Sequence, residues 1–256
     1  MNLAQGIFLF FVAVAGGALN SVAGGGGFLC FPALVFTGMP PINANATNTA
    51  ALWPGTAASV AAYRNAIAGH RRILIPVAIS GLIGGLVGAN ILLRIPQTTF
   101  MKMVPWLLLT ATLLFVFSGP ITRWVGTFIA AEGAPKNKAV FGGMLIQLGI
   151  ALYIGFFGAG AGILMMALFA IMGVRSIHTI NGLKTLLGTI TNGMALLTFI
   201  FAGAIMWPQA ALMIVGAAVG GYGGAWYAQK LPPRYVRWFA VATGFAMTAY
   251  FFWRTA

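Results

Sequence analysis

Long apolar runs cover most of the 256-residue chain, and the polar positions gather between them in short knots. The runs extend from about Leu3 to Leu34, Ala44 to Ala62, Ile73 to Leu93, Met103 to Phe117, Ala139 to Met172, Leu186 to Phe201, Ala210 to Ala228 and Val236 to Trp253. Since roughly 20 apolar residues cross a bilayer, the pattern predicts an all-α polytopic membrane protein with about eight to ten membrane segments. The first and fifth runs are too long for one span. Gly24-Gly25-Gly26-Gly27 interrupts the one and Gly158-Ala159-Gly160-Ala161-Gly162 the other, and helices are expected to break or unwind there. Each long run is therefore read as two antiparallel or broken pieces that either cross twice or re-enter.

The second half repeats the first at an offset of 135 to 136 residues. Gly84-Gly85-Leu86-Val87-Gly88-Ala89 returns as Gly220-Gly221-Tyr222-Gly223-Gly224-Ala225, and Arg94-Ile95-Pro96 as Lys230-Leu231-Pro232. Asn45 and Thr49 recur as Asn181 and Thr185, while Gly25, Gly27 and Gly38 recur as Gly160, Gly162 and Gly173. The expected organisation is a single transmembrane domain over 1–256, with repeat one at 1–117, a linker at 118–138 and repeat two at 139–256.

Composition sharpens this picture. The chain is 60% hydrophobic and 6% charged, with a mean hydropathy of +0.95, which excludes a water-soluble enzyme. Fourteen Lys and Arg stand against one acid, Glu132, and they sit between apolar runs, not in tails that would suit a nucleic acid. Their distribution tests the relative orientation of the halves. If each half crosses an odd number of times, Arg64, Arg71, Arg72, Arg123, Lys136, Lys138, Arg175, Lys230, Arg234 and Arg237 share one side. Arg94, Lys102 and Arg254 then face the other, ten against three with Lys184 set aside. An even number gives seven against six. The bias predicts inverted repeats, with the linker and most basic loops cytoplasmic and both termini outside a bacterial inner membrane. Inverted halves with broken helices are the architecture of many secondary transporters, which hold substrate near the midplane between the repeats.

The polar knots supply the candidate chemistry. A glycine-rich break inside a span lines a cavity more readily than it faces lipid. Gly25, Gly26 and Gly27, and Gly158, Gly160 and Gly162, are thus candidates to let a ligand approach the backbone. A helix restarting at Phe28 or Ile163 would aim its first amides at an anion. The plainer reading is close helix packing through small residues. A second knot follows each cluster, Asn43 to Thr49 in one half and His178 to Thr185 in the other, and both are expected to precede long apolar helices. Asn45, Thr47, Asn48, Asn181 and Thr185 are candidate side-chain donors, with N-capping as the ordinary alternative for Asn43 or Asn45. Lys184 is the sharpest candidate, because a lysine among Leu183, Leu186 and Leu187 with no acid beside it suits an anionic substrate. The alternative is snorkelling to the interface.

Other residues narrow the mechanism. The chain has no Asp, and Glu132 lies in the linker, so carboxylate-based ion coupling lacks its residues. Two separated histidines and one thiol make neither a metal site nor a nucleophilic triad. His70 is assigned to a basic loop, and Cys30 to apolar packing. Trp53, Trp106, Trp207, Trp238 and Trp253 are read as interfacial, with Trp53 also suited to the cavity. Residues 1–23 lack a basic leading region and are read as part of the mature chain.

The glycine run 24–27, then Pro32, Gly38 and Ala46-Thr47-Asn48, followed by Gly155-Phe156-Phe157-Gly158-Ala159-Gly160-Ala161-Gly162, resembles the TauE/SafE group of sulfite exporters and related permeases. The resemblance covers nearly the whole chain. It implies transport of small sulfur oxyanions or organosulfur anions, usually out of the bacterial cytoplasm, with no cofactor. Asn181-Gly182-Leu183-Lys184 departs from the first half's Ala-Thr-Asn, so the halves need not contribute equally. The expected partners are a small anionic substrate and membrane lipid, with no nucleic acid. A homo-oligomer is compatible with the sequence. The competing readings are a cation or neutral-solute permease with Lys184 as a tethered charge, and a non-transporting scaffold or enzyme that binds lipid or a partner through its basic loops.

Overall fold

A computed structural model describes residues 1–23, 25–129, 137–174, 176–228 and 233–255. Gly24, Glu132, Lys136, Arg175 and Lys230, all named above, lie outside the described residues. The described chain is helical throughout its regular structure. Helix α1 (Leu3–Ala23) is followed by a short α2 (Gly27–Phe36) and by α3 (Pro41–Val60). A segment of short turns containing α4 (Arg64–Ile67) leads to α5 (Arg71–Arg94) and α6 (Gln97–Ile129). The second half runs α7 (Asn137–Phe156), short α8 (Ala161–Ile171), α9 (Ile177–Phe201), α10 (Trp207–Ala228) and α11 (Pro233–Thr255). Helix α6 continues well past Phe117, so much of the segment read as a linker is helical.

Local chemistry sets these boundaries. Pro41 opens α3, where its missing N–H costs nothing. Gly38 (φ 87°) ends α2 and Gly173 (φ 85°) ends α8, each in a left-handed conformation that returns the chain's amides to the last helical carbonyls. The two glycines are repeat equivalents. Stretches in α1 (Leu3–Asn20), α5 (Arg72–Arg94), α6 (Gln97–Phe117) and α9 (His178–Phe201) are long and apolar enough to cross a membrane. Helix α3 matches them in length but carries Asn43, Asn45, Thr47, Asn48 and Thr49. On α5, Ile75, Ile79, Leu82, Ile83 and Leu86 are exposed, an outward face suited to lipid.

Helix α1 and α2 form an antiparallel hairpin, with Cys30 packed beside Gly16, and Gln5 Nε2 donating to the Thr37 carbonyl at 3.4 Å. The strongest helix pairings then exchange between halves: α1 packs on α10, and α5 on α7. Both pairs are parallel. Gly6 lies beside Leu212 and Gly220 beside Val14, while Gly84 lies beside Ala151 and Gly88 beside Phe156. Equivalent helices instead meet antiparallel. Along α3 and α9, Trp53 meets Gly193 and Asn43 meets Ala204 just past the end of α9; on α6 and α11, Trp106 meets Phe252 and Thr112 meets Gly244. Packing of α5 on α9 is matched by α10 on α3, and α6 on α8 by α11 on α2. Exchanging the halves thus reproduces the packing with every direction reversed, which is the inverted arrangement.

Two cores result, and neither belongs to one half. The larger gathers Phe28, Phe31, Phe100, Phe115, Phe157 and Phe251 from both halves. The smaller joins Val77 of α5 with Phe169, Leu183 and Leu187 of α8 and α9. At one end of the bundle α4 packs on the start of α9, with Ile67 beside Gly182, and that end carries Arg64 and Arg72. The opposite end holds Arg94, Lys102 and Arg254 at the end of α5, the start of α6 and the end of α11.

Candidate functional site

The two glycine breaks differ in what requires glycine. In the first, Gly26 has ordinary right-handed backbone angles (φ −55°, ψ −32°), but a Cβ there would stand 2.8 Å from Asn20 Cβ and against the Gly16 carbonyl. Space is the constraint. In the second, Gly158 (φ 78°) and Gly160 (φ 75°) are left-handed, so conformation is the constraint. The Tyr153 hydroxyl donates to the Ala159 carbonyl at 2.6 Å and fixes this turn from within α7.

Neither α2 nor α8 has a side-chain cap. Both begin slightly earlier than the sequence suggested, at Gly27 and Ala161. As a result the amides of Phe28 and Ile163, expected to face a ligand, already donate to the Gly25 and Gly160 carbonyls at 3.0 and 3.1 Å. What faces the breaks is a pair of side chains. Gly27 is overlain by Asn48, whose Nδ2 is 3.5 Å from where a Cβ would stand, and Gly162 by Lys184, whose Cδ is 3.5 Å from the corresponding point. Gly27 and Gly162 are repeat equivalents, and so are Asn48 and Lys184. One polar position is thus used twice, as an amide in one half and a cation in the other.

Both polar knots lie inside their helices, correcting the expectation that they precede them. Pro40 caps α3, and Ser176 caps α9 by accepting the Thr179 amide at 3.4 Å. Asn48 and Lys184 each fall two turns in, roughly 10 Å along the axis. Asn43 is no N-cap. Its Nδ2 donates to the Ala204 carbonyl at 2.9 Å and its Oδ1 accepts from Gln97 Nε2 at 3.2 Å. Thr47, fully buried, accepts the Met206 amide at 3.1 Å and thereby ties α3 to the start of α10. Asn45 is 2% exposed and donates from Nδ2 to the Phe156 carbonyl at 3.2 Å, at the last residue before the second break. One turn of α3 therefore touches both breaks. Helix α6 does the same, with Ala111 against Gly160 and Phe115 against Gly25.

Asn181, Lys184 and Thr185 are half-buried on α9, and the Thr185 hydroxyl donates to the Asn181 carbonyl at 2.8 Å, so its proton is engaged within the helix. The buried Oδ1 atoms of Asn45 and Asn48 have no hydrogen-bond partner. Such atoms are rare in folded proteins and costly away from water.

Two features escaped the sequence reading and a third was placed only in part. Tyr153 is one. Trp53, expected at an interface or facing the cavity, lies mid-helix and half-buried, not at an interface, with its indole N–H donating to the Thr189 carbonyl at 2.9 Å. The second feature missed is a fully buried pair, Gln147 of α7 and Thr191 of α9, near Gly81 of α5, whose side-chain polar atoms all lack partners. A lone amide within the apolar run from Ala139 was the available signal for Gln147. His178 is exposed at the start of α9, and Cys30 is buried against Gly16.

Several known proteins are similar to this chain over most of its length. A probable membrane transporter protein of Haemophilus influenzae is 27% identical over 242 residues, covering 94% of this chain and 92% of its own. The probable membrane transporter protein ORF9 of a Sinorhizobium species is 26% identical, covering 94% and 89%. The probable membrane transporter protein YfcA of Escherichia coli K12 is 28% identical over 214 residues, covering 83% and 76%. No solved structure matches the chain significantly. The profile of the sulfite exporter TauE/SafE family matches residues 9–251, nearly the full length, and the chain belongs to that family of membrane transporters.

Proposed function

We propose that this transporter moves a small anion, sulfite or an organosulfonate, out of the cytoplasm by alternating access, with the substrate held where α3 and α6 pass both glycine breaks. The observation that carries the reading is Lys184 lying over Gly162 with the chain's only acid, Glu132, far off in sequence. A cation inside a membrane protein is costly unless compensated, and an anionic substrate compensates it. Asn48 supplies a neutral donor at the equivalent place beside Gly27, and Asn45 stands between the two.

The inverted halves give alternating access a physical basis. Two packings related by exchange of the repeats present the same helices to opposite sides of the membrane. In this reading the end with Arg64 and Arg72 faces the cytoplasm of a bacterial inner membrane, following the basic-residue bias, and both termini face outside.

The test is uptake into proteoliposomes of sulfite, sulfate, thiosulfate, sulfoacetate and chloride, comparing the native protein with Lys184→Gln. Selective flux that falls at least tenfold in the variant supports the reading. Flux that persists with every small anion omitted would favour a cation or neutral-solute permease.

A further inference from the structure

We propose that the transported anion carries its own O–H, as a protonated oxyanion or a hydroxylated sulfonate does, and that Asn45 and Asn48 select for it. This rests on the anion-transport reading above and narrows its substrate class.

The argument starts from two oxygen atoms. Asn45 Oδ1 and Asn48 Oδ1 are both buried, and neither accepts a hydrogen bond. The orientation of Asn45 is fixed by its neighbour, because Nδ2 donates to the Phe156 carbonyl, and a flipped amide would set oxygen against oxygen. Its free atom is therefore an acceptor. Asn48 lies one turn along on the same helical face, beside Gly27. Asn45 bonds Phe156 at the second break and Asn48 lies over Gly27 at the first, so both unused oxygens belong to side chains that touch the breaks.

A fully deprotonated oxyanion offers only acceptors. Placed here it would satisfy Lys184 and the Asn48 amide hydrogens but leave both carboxamide oxygens unpaired. An anion with a hydroxyl satisfies both needs, presenting charge toward Lys184 and a donor toward α3. An ammonium donor is the poorer match, since Lys184 packs on Gly162, within the same break that Asn45 touches at Phe156. A buried acceptor that only the right substrate pairs is a strong source of discrimination, because the analogue lacking the donor leaves it unpaired.

The experiment compares isethionate with ethanesulfonate, which share charge and sulfonate and differ by one hydroxyl, in proteoliposomes containing the native protein. The expected result is isethionate flux exceeding ethanesulfonate flux by about tenfold or more. In Asn48→Leu both fluxes should fall with the lost amide hydrogens and their ratio should shrink severalfold, while a monodisperse profile and an unchanged unfolding midpoint in detergent report a folded protein. Equal flux of the two sulfonates in the native protein overturns the proposal while leaving the anion transporter intact, and would mean that water satisfies the amide oxygens. An undiminished preference in both Asn48→Leu and Asn45→Leu overturns the assignment to these residues. Absence of flux for both sulfonates and for sulfite overturns the underlying reading as well.

Discussion

Trp53 and Thr189 hold the same position in the two repeats, and the indole of the first donates to the backbone carbonyl of the second at 2.9 Å. The contact relating the halves is therefore itself unequal: one equivalent is a large aromatic donor and the other a threonine whose hydroxyl bonds back to Thr185. Replacing Trp53 with Phe keeps most of the ring and deletes the N–H, leaving the Thr189 carbonyl without that donor. The expected loss is about 1 kcal/mol. Thermal unfolding in detergent should record it as a drop of a few degrees, and an unchanged midpoint would show that the bond contributes nothing net.

The second break depends on glycine for its backbone angles. Gly160→Ala places a side chain at φ 75° and beside the Ala111 carbonyl, with an expected cost of about 1–2 kcal/mol. Gly162→Ala carries no such strain, and its new methyl meets Lys184 at ordinary contact distance. The first variant should be less stable than the second, and a reversed order in unfolding midpoints would contradict the assigned geometry.

Gln147 and Thr191 are fully buried with unsatisfied polar atoms. Replacing both by apolar residues of similar shape, Gln147→Met with Thr191→Val, removes the orphans together and should be neutral or stabilising by about 1 kcal/mol. A marked loss of stability would mean that a bound water or ion satisfies the pair.

Orientation is open to chemical labelling. Helix α5 runs from Arg71 to Arg94, long enough to reach from one end of the bundle to the other. With Cys30 replaced by Ala, single cysteines at positions 71 and 94 should react with an impermeant thiol reagent from opposite sides. Reaction of both from one side is incompatible with α5 as a span.

Much of this architecture was legible because the membrane simplifies the sequence code. Apolar runs, glycine interruptions and an internal repeat are visible without any contact information, and the basic-residue bias predicted the reversed direction found between α3 and α9. Side-chain assignments were less accessible. Thr47 and Asn48 are adjacent and both buried, yet Thr47 secures the Met206 amide while Asn48 lies over Gly27. Which neighbour faces the break depends on helical phase, which the packing of α3 against its neighbours sets. Asn45 reaches a carbonyl in the other half, a pairing that no local pattern encodes. Gln147 was hidden for another reason: a single amide scarcely alters the apolarity of its run.

The pairing of α1 with α10 sets a timetable for synthesis. The chain emerges from its N-terminus, so α1 is complete at Ala23 long before Trp207 begins its partner. At about 5–20 residues per second the interval is roughly 10–40 s. Throughout it Gly17 and Val14, which later receive Ala217 and Gly220, lie open in the bilayer. Helix α5 waits far less for α7. The nascent protein thus closes its second core before its first, and the N-terminal helix meets its main partner only when most of the chain has been made.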